Sequence, residues 1–201
     1  MGFLSNVSAR LAGHAADLDA HTMNTLEVLK TGNYLNYWGQ YTSTMATIVA
    51  AGKLYATCPL LVARPLTIDR LACNVKVAGS AGERARLGVY RNGNNCYPGT
   101  LLLDAGEIAV DSTGVKKVDI DLALARGIYW MAFVCDGTPE MIHSYNAPSP
   151  LGVRESDLSY RYHMVYKTGF GYGALPDPFP AGGIDAVDAS PAVFARLASL
   201  D

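Results

Sequence analysis

Two hydrophobic periods divide the chain near Gly32. Before it, Leu4, Leu11, Leu18 and Thr25 recur every seven residues, each followed three positions later by Val7, His14, His21 and Val28. That is the spacing of a coiled-coil seam. It predicts a helix over about residues 5 to 30, a rod of roughly 40 Å at ~1.5 Å per residue. The rod's other faces are too polar for a lone buried helix, so the seam calls for partner chains, with an amphipathic helix folded back on its own domain as the alternative. Gly13 weakens the seam, Met23, Leu26 and Leu29 form a competing stripe, and His14 and His21 would be polar layers that fix register. Gly32 ends the helix as a residue able to take positive φ.

From Gly52 the period becomes two. Leu71, Cys73, Val75 and Val77 share one face of a strand, as do Ala85, Leu87 and Val89, and Val118, Ile120 and Leu122 alternate with Lys117, Asp119 and Asp121. Between Ile68 and Leu71 the phase slips by one residue, the mark of a β-bulge or bend. IYWMAFVC, residues 128 to 135, is apolar throughout and predicts a central strand covered on both faces. Turn signals at Asn92-Gly93, Pro98-Gly99, Ser112-Thr113-Gly114 and Arg126-Gly127 are spaced as in an all-β sandwich. The last strand is expected at AVFARL, 192 to 197. The reading is a mainly β, jelly-roll-like antiparallel β-sandwich over 52–201, preceded by a helical oligomerisation or attachment segment over 1–32 and a linker over 33–51.

One stretch combines both kinds of signal. YRYHMVYKTGFGYG, residues 160 to 173, alternates Tyr160, Tyr162, Met164 and Tyr166 with Arg161, His163, Val165 and Lys167, then enters the Gly- and Pro-rich ALPDPFPAGG. A strand there has an aromatic face that either lines the core or offers recognition surface. Phe170, Tyr172 and Phe179 lie in a loop too long for mere connection, which makes them candidate ligand contacts.

Composition narrows the function. The net charge of −2 arises from interspersed signs without a basic run, so a nucleic-acid partner is not expected. No window approaches the ~20 apolar residues of a membrane helix, and the N-terminus lacks the pattern of a secretion signal, so neither membrane insertion nor a secreted precursor is expected. Cys58, Cys73, Cys96 and Cys135 form no C-x-x-C pair and read as free structural thiols, a disulfide being the lesser reading. The sequence contains no G-x-S-x-G, H-E-x-x-H or G-x-x-x-x-G-K-[ST]. Asp119 and Asp121 alternate on a solvated strand face, Asp177, Asp185 and Asp188 match no defined calcium loop, and His143 and His163 have no neighbouring ligand in sequence. No catalytic residue, metal or cofactor is expected.

The order of short patterns adds a resemblance. The segments are G-x-L-Y-x-x-x-P from Gly52, T-I-D-R-L from Thr67, A-R-L-G-V-Y-R-x-x-x-x-x-x-P-G-x-L-L-x-D-A-G from Ala85, L-x-x-G-x-Y-W-M-A from Leu124, and the later YGALP from Tyr172. Together they resemble the β-sandwich module of tailed-bacteriophage virion proteins of the tail-fibre, minor-tail or head-fibre type, over roughly residues 52 to 197. The resemblance implies a non-enzymatic, homotrimeric virion appendage, with a helical N-terminus that attaches or trimerises and a sandwich that faces outward. Expected partners are other virion proteins and host cell-surface polysaccharide. Docking to capsid subunits and an enzyme acting on polysaccharide are the alternatives. No set of functional residues carries over, but YGALP as common framework would make Tyr172 and Leu175 pack rather than bind, and would make the tip turn with Arg91, Asn92, Asn94, Asn95 and Tyr97 an equal candidate for contact with a host.

Overall fold

The computed structural model describes residues 29–35, 46–144, 165–186 and 190–200. Leu4, Val7, Leu11, His14, Leu18, His21 and Val28, the expected oligomerisation seam, lie outside the described residues, as do Tyr160, Tyr162, His163 and Met164. At the end of the expected helix, Leu29 and Lys30 are not helical, and Gly32, with φ +83°, lies in a turn and donates its N–H to the distant Leu197 carbonyl at 2.7 Å. Thr31–Asp201 forms one compact unit.

Within that unit the described residues form two antiparallel sheets. The strands are β1 (Tyr34–Leu35), β2 (Ala46–Ile48), β3 (Lys53–Val62), β4 (Leu66–Val77), β5 (Arg84–Asn92), β6 (Pro98–Ala109), β7 (Gly114–Leu124), β8 (Gly127–Cys135), β9 (Glu140–Ser144), β10 (Val165–Gly169), β11 (Ile184–Ala186), β12 (Ser190–Pro191) and β13 (Phe194–Leu200). The first sheet runs β1-β13-β4-β9-β12, with β2 on β9 and β7 on β4; the second runs β11-β10-β3-β8-β5-β6. The segment 33–51, read as linker, thus contributes two short strands: β1 pairs with β13, and β2 pairs with β9. Strands of two or three residues leave too little alternation to be seen in sequence.

The period-two segments take their expected places. Ala85, Leu87 and Val89 are fully buried, while β7 keeps Lys117, Asp119 and Asp121 in solvent and Val118, Ile120 and Leu122 half-buried. The slip near Ile68 is a register shift against β7 between Ile68 and Arg70. Val77, expected on the buried face, is 50% exposed at the end of β4. The apolar β8 is central, between β3 and β5, and is buried from Tyr129 to Cys135.

Its two rows of side chains meet different partners. Trp130, Ala132 and Val134 join Leu54, Ala56 and Tyr90 beneath Leu175 and Phe179. The opposite row, Tyr129, Met131, Phe133 and Cys135, is equally buried. By strand alternation it faces the other sheet, whose buried row includes Leu66, Ile68, Leu71, Cys73 and Val75. The second sheet is therefore covered on both sides, once by a sheet and once by the strap that residues 170–183 form.

Candidate functional site

The strap is held by a network that begins at Gly88. A Cβ at this position would lie 2.6 Å from the Leu103 carbonyl and would also meet the Leu175 methyl. Only glycine lets Leu175 sit directly over β5. Beside it, the Asp104 carboxylate accepts both Arg86 Nη1 bonds, at 2.9 and 3.0 Å, and the N–H groups of Leu175 and Gly106, each at 3.0 Å. Burial pushes the Asp104 carboxyl up, but the bonds from Leu175 N–H, Arg86 and Gly106 N–H outweigh it and hold the group below the usual carboxylate range. Arg86 Nη2 reaches Glu107 at 3.3 Å, and Tyr172 Oη donates to the same Glu107 oxygen at 3.0 Å. Burial first, then the bond to Glu107, raises the Tyr172 hydroxyl's pKa.

Farther along, rings take over from charges. Tyr97 lies 4.7 Å from Tyr166 and 5.8 Å from Phe179 between ring centroids, Phe179 meets Tyr90 edge-on at 5.3 Å, and Trp130 meets Tyr166 at 5.4 Å. Polar ends of three of these rings are bonded: Tyr90 Oη donates to the Pro176 carbonyl, Trp130 Nε1 to Asn92 Oδ1, and Tyr97 Oη to the Pro180 carbonyl at 2.6 Å while accepting Gly183 N–H. Phe179 N–H donates to the Gly99 carbonyl, and Asp177 Oδ1 accepts Leu101 N–H. The strap is thereby stitched to the β5–β6 connection along its length.

The stitching places the expected contact residues differently from one another. Phe179, read as a candidate contact, is 3% exposed and belongs to the core, because the strap folds its apolar side onto the sheet. Phe170 and Tyr172 are half-buried and packed against the same cluster, as is Tyr166. Tyr97 is a half-buried anchor. Arg91, Asn94 and Asn95 are exposed, and Asn92 is half-buried with its side-chain oxygen engaged by Trp130. Asn95 and Cys96 both have φ near +52° in the 3-10 turn Asn94–Cys96, a conformation costly for two consecutive non-glycine residues.

Two further arginines share this end of the sheet. Arg91 pairs with Tyr129 on β8, Arg126 immediately precedes Gly127, and Gly127 pairs with Val62, two residues before Arg64. The three guanidinium-bearing residues therefore span the adjacent strand ends of β5, β8 and β3, with Arg91 and Arg126 exposed and Arg64 half-buried. Sequence reasoning missed Arg64 and Arg126, although their place beside Pro65 and Gly127 marks them as turn residues on the same pattern as Arg91.

Other candidate groups have structural settings. Cys73, Cys96 and Cys135 are free, and burial pushes the Cys73 and Cys135 thiols up to about 12, which leaves them protonated and unreactive at neutral pH. Asp119 is paired with Arg70 on the solvent face of the first sheet, and His143 is buried on β9. Asp177 is exposed on the strap, Asp185 lies on β11 and Asp188 is outside the described residues. Among the described residues no group of three or more His, Cys, Asp or Glu could hold a metal, and no helix is long and apolar enough to cross a membrane. No family model, curated protein or solved structure matches the chain. The resemblance to phage appendage modules rests on the sequence pattern alone.

Proposed function

We propose that the protein is a non-enzymatic binding module whose end formed by Arg64, Arg91, Arg126, Asn94 and Asn95 takes an acidic saccharide. The observation that carries this reading is three arginines on adjacent strand ends beside a strained, exposed Asn-Asn turn that an aromatic strap holds in place. Guanidinium forks match carboxylates and phosphates, and asparagine side chains bond sugar hydroxyls from both of their polar atoms. The winding supports a recognition role. In it β2-β9-β4-β7 opposes β3-β8-β5-β6, the order of a jelly roll, with its connecting loops clustered at two ends.

The phage-module resemblance extends the proposal to a virion appendage of tail-fibre or spike type, located on the virion and assembled in the host cytoplasm. The N-terminal heptads would make it a homotrimer, in which three weak sites acting together raise avidity. The test is a glycan array probed with the full chain. Binding to acidic spots over neutral ones, weakened by Arg91→Ala or Arg126→Ala, is expected; equal binding to neutral sugars, or none to any, overturns the reading.

A second reading has its own observation. The outer face of the first sheet carries Tyr34, 40% exposed, beside Arg196 opposite it on β13 and Arg70 on β4. Tyrosine and arginine are the residue types enriched in protein interfaces. That face would serve docking to other virion subunits, as in a capsid decoration or head-fibre protein. Loss of particle binding on Tyr34→Ala with saccharide binding intact would assign it.

A further inference from the structure

Most strand margins in this fold are protected. β1, β2, β11 and β12 are two or three residues long, and β6, although longer, begins at Pro98 and breaks register with β5 three times. Short strands, proline and bulges are the usual means of blunting an edge. The exception is β7, which has eleven residues and pairs only with β4 among the described strands. From Gly114 to Asp119 its register with β4 is unbroken. Its inner row, Val118, Ile120 and Leu122, is only half-buried, and its outer row includes Val115, 62% exposed.

The outer row also carries charge of both signs, Lys117 followed by Asp119 and Asp121. Lysine on an edge normally deters pairing, but this spacing is complementary to itself. When two copies of the strand run antiparallel about a two-fold axis at Val118, Lys117 of each faces Asp119 of the other, and Val115 faces Asp121. On the inner row Lys116 lies opposite Ile120, along which its methylene stem can lie. Asp119 remains available for such a partner, since its side chain is 76% exposed even while it accepts the Arg70 bond. Displacing the register by two residues sets Asp119 against Asp119 in one direction and Lys117 against Lys117 in the other, like charges directly opposed.

We propose that β7 is an interaction edge for a second copy of this chain, joined by antiparallel strand addition with its two-fold axis at Val118. The contact is isologous, and main-chain hydrogen bonds supply the pairing while the Lys117–Asp119 pairs set the register. It stands apart from saccharide binding and does not require the N-terminal segment.

Engineered cysteines test it on the full chain under a mild added oxidant, read by non-reducing electrophoresis. Directly opposed residues of antiparallel strands have Cα atoms ~4.5–5.5 Å apart, within disulfide reach. Val118→Cys is therefore expected to give a covalent dimer. Val115→Cys, the more exposed position, lies six residues from its own copy, about 20 Å at ~3.4 Å per residue, and is expected to stay uncrosslinked. Lys117→Asp should suppress the Val118→Cys dimer at least fivefold, and the exchange K117D/D119K should restore it. Crosslinking of Val115→Cys at a rate matching Val118→Cys, no crosslinking of either, or indifference to Lys117→Asp would overturn the proposal.

Discussion

Replacing Phe179 with alanine tests whether the strap is part of the core or a loop resting on it. The ring is 3% exposed, meets Tyr90 edge-on at 5.3 Å and Tyr97 at 5.8 Å, and closes the layer over Trp130 and Ala132. Core Phe→Ala changes cost about 3–5 kcal/mol, a range that already contains the ~0.5–1.5 kcal/mol of each aromatic pair. Because the strap lies at the surface and can relax into the space, the low end applies, about 3 kcal/mol. For a domain of this size that corresponds to a fall in Tm of roughly 6–12 °C. Urea unfolding followed by tryptophan fluorescence measures the free energy, and hydrogen exchange of residues 170–183 shows where protection is lost. A cost below about 1 kcal/mol with protection of the strap unchanged would refute the view that these rings form a second core.

Three other outcomes follow from the same network. Gly88→Ala, which sets a Cβ against the Leu103 carbonyl and the Leu175 methyl, should cost about 1–3 kcal/mol and raise hydrogen exchange in the strap before the sheet. Strap protection should also depend on pH at both extremes. The folded Asp104 pKa is lowered, so its contribution is complete above the unfolded value near 4 and is lost as pH falls through the folded value. The folded Tyr172 pKa is raised, so its contribution is complete below about pH 10 and is lost as pH rises through the folded value; exchange at fixed temperature should show a plateau between the two. Cys96→Gly relieves an L-residue at φ +52° and should raise stability by ~0.5–1 kcal/mol in thermal unfolding, where a loss would mean the thiol packs usefully.

What could be read from the sequence was local. The alternation in VKKVDIDL gave both the strand and its solvent face, the slip between Ile68 and Leu71 gave the register shift, and the uniform apolarity of IYWMAFVC gave the central strand. The covering of that strand's second face was not legible, because it depends on contacts between distant residues: Tyr90 Oη meets a carbonyl 86 residues away. Gly88 was the available clue, a glycine inside an otherwise regular strand, which signals the close approach of another group. Without that link, Phe179 reads only as an aromatic in a long loop and hence as a candidate contact. The exposed turn at Arg91, Asn94 and Asn95 was legible from its turn residues, whereas its alignment with Arg64 and Arg126 follows from strand order, which no local pattern specifies.

The most direct test of the account is equilibrium binding of an acidic bacterial surface polysaccharide to the full chain, comparing the native protein with Arg91→Ala/Arg126→Ala and with Tyr97→Phe. The first variant removes two of the guanidinium groups; the second removes the hydroxyl that bonds Pro180 and Gly183 while leaving the exposed side chains in place. The account predicts binding that weakens on raising salt to about 0.5 M, a loss of tenfold or more for the arginine variant, and a smaller loss for Tyr97→Phe. Binding that is indifferent to salt and to both variants would contradict it.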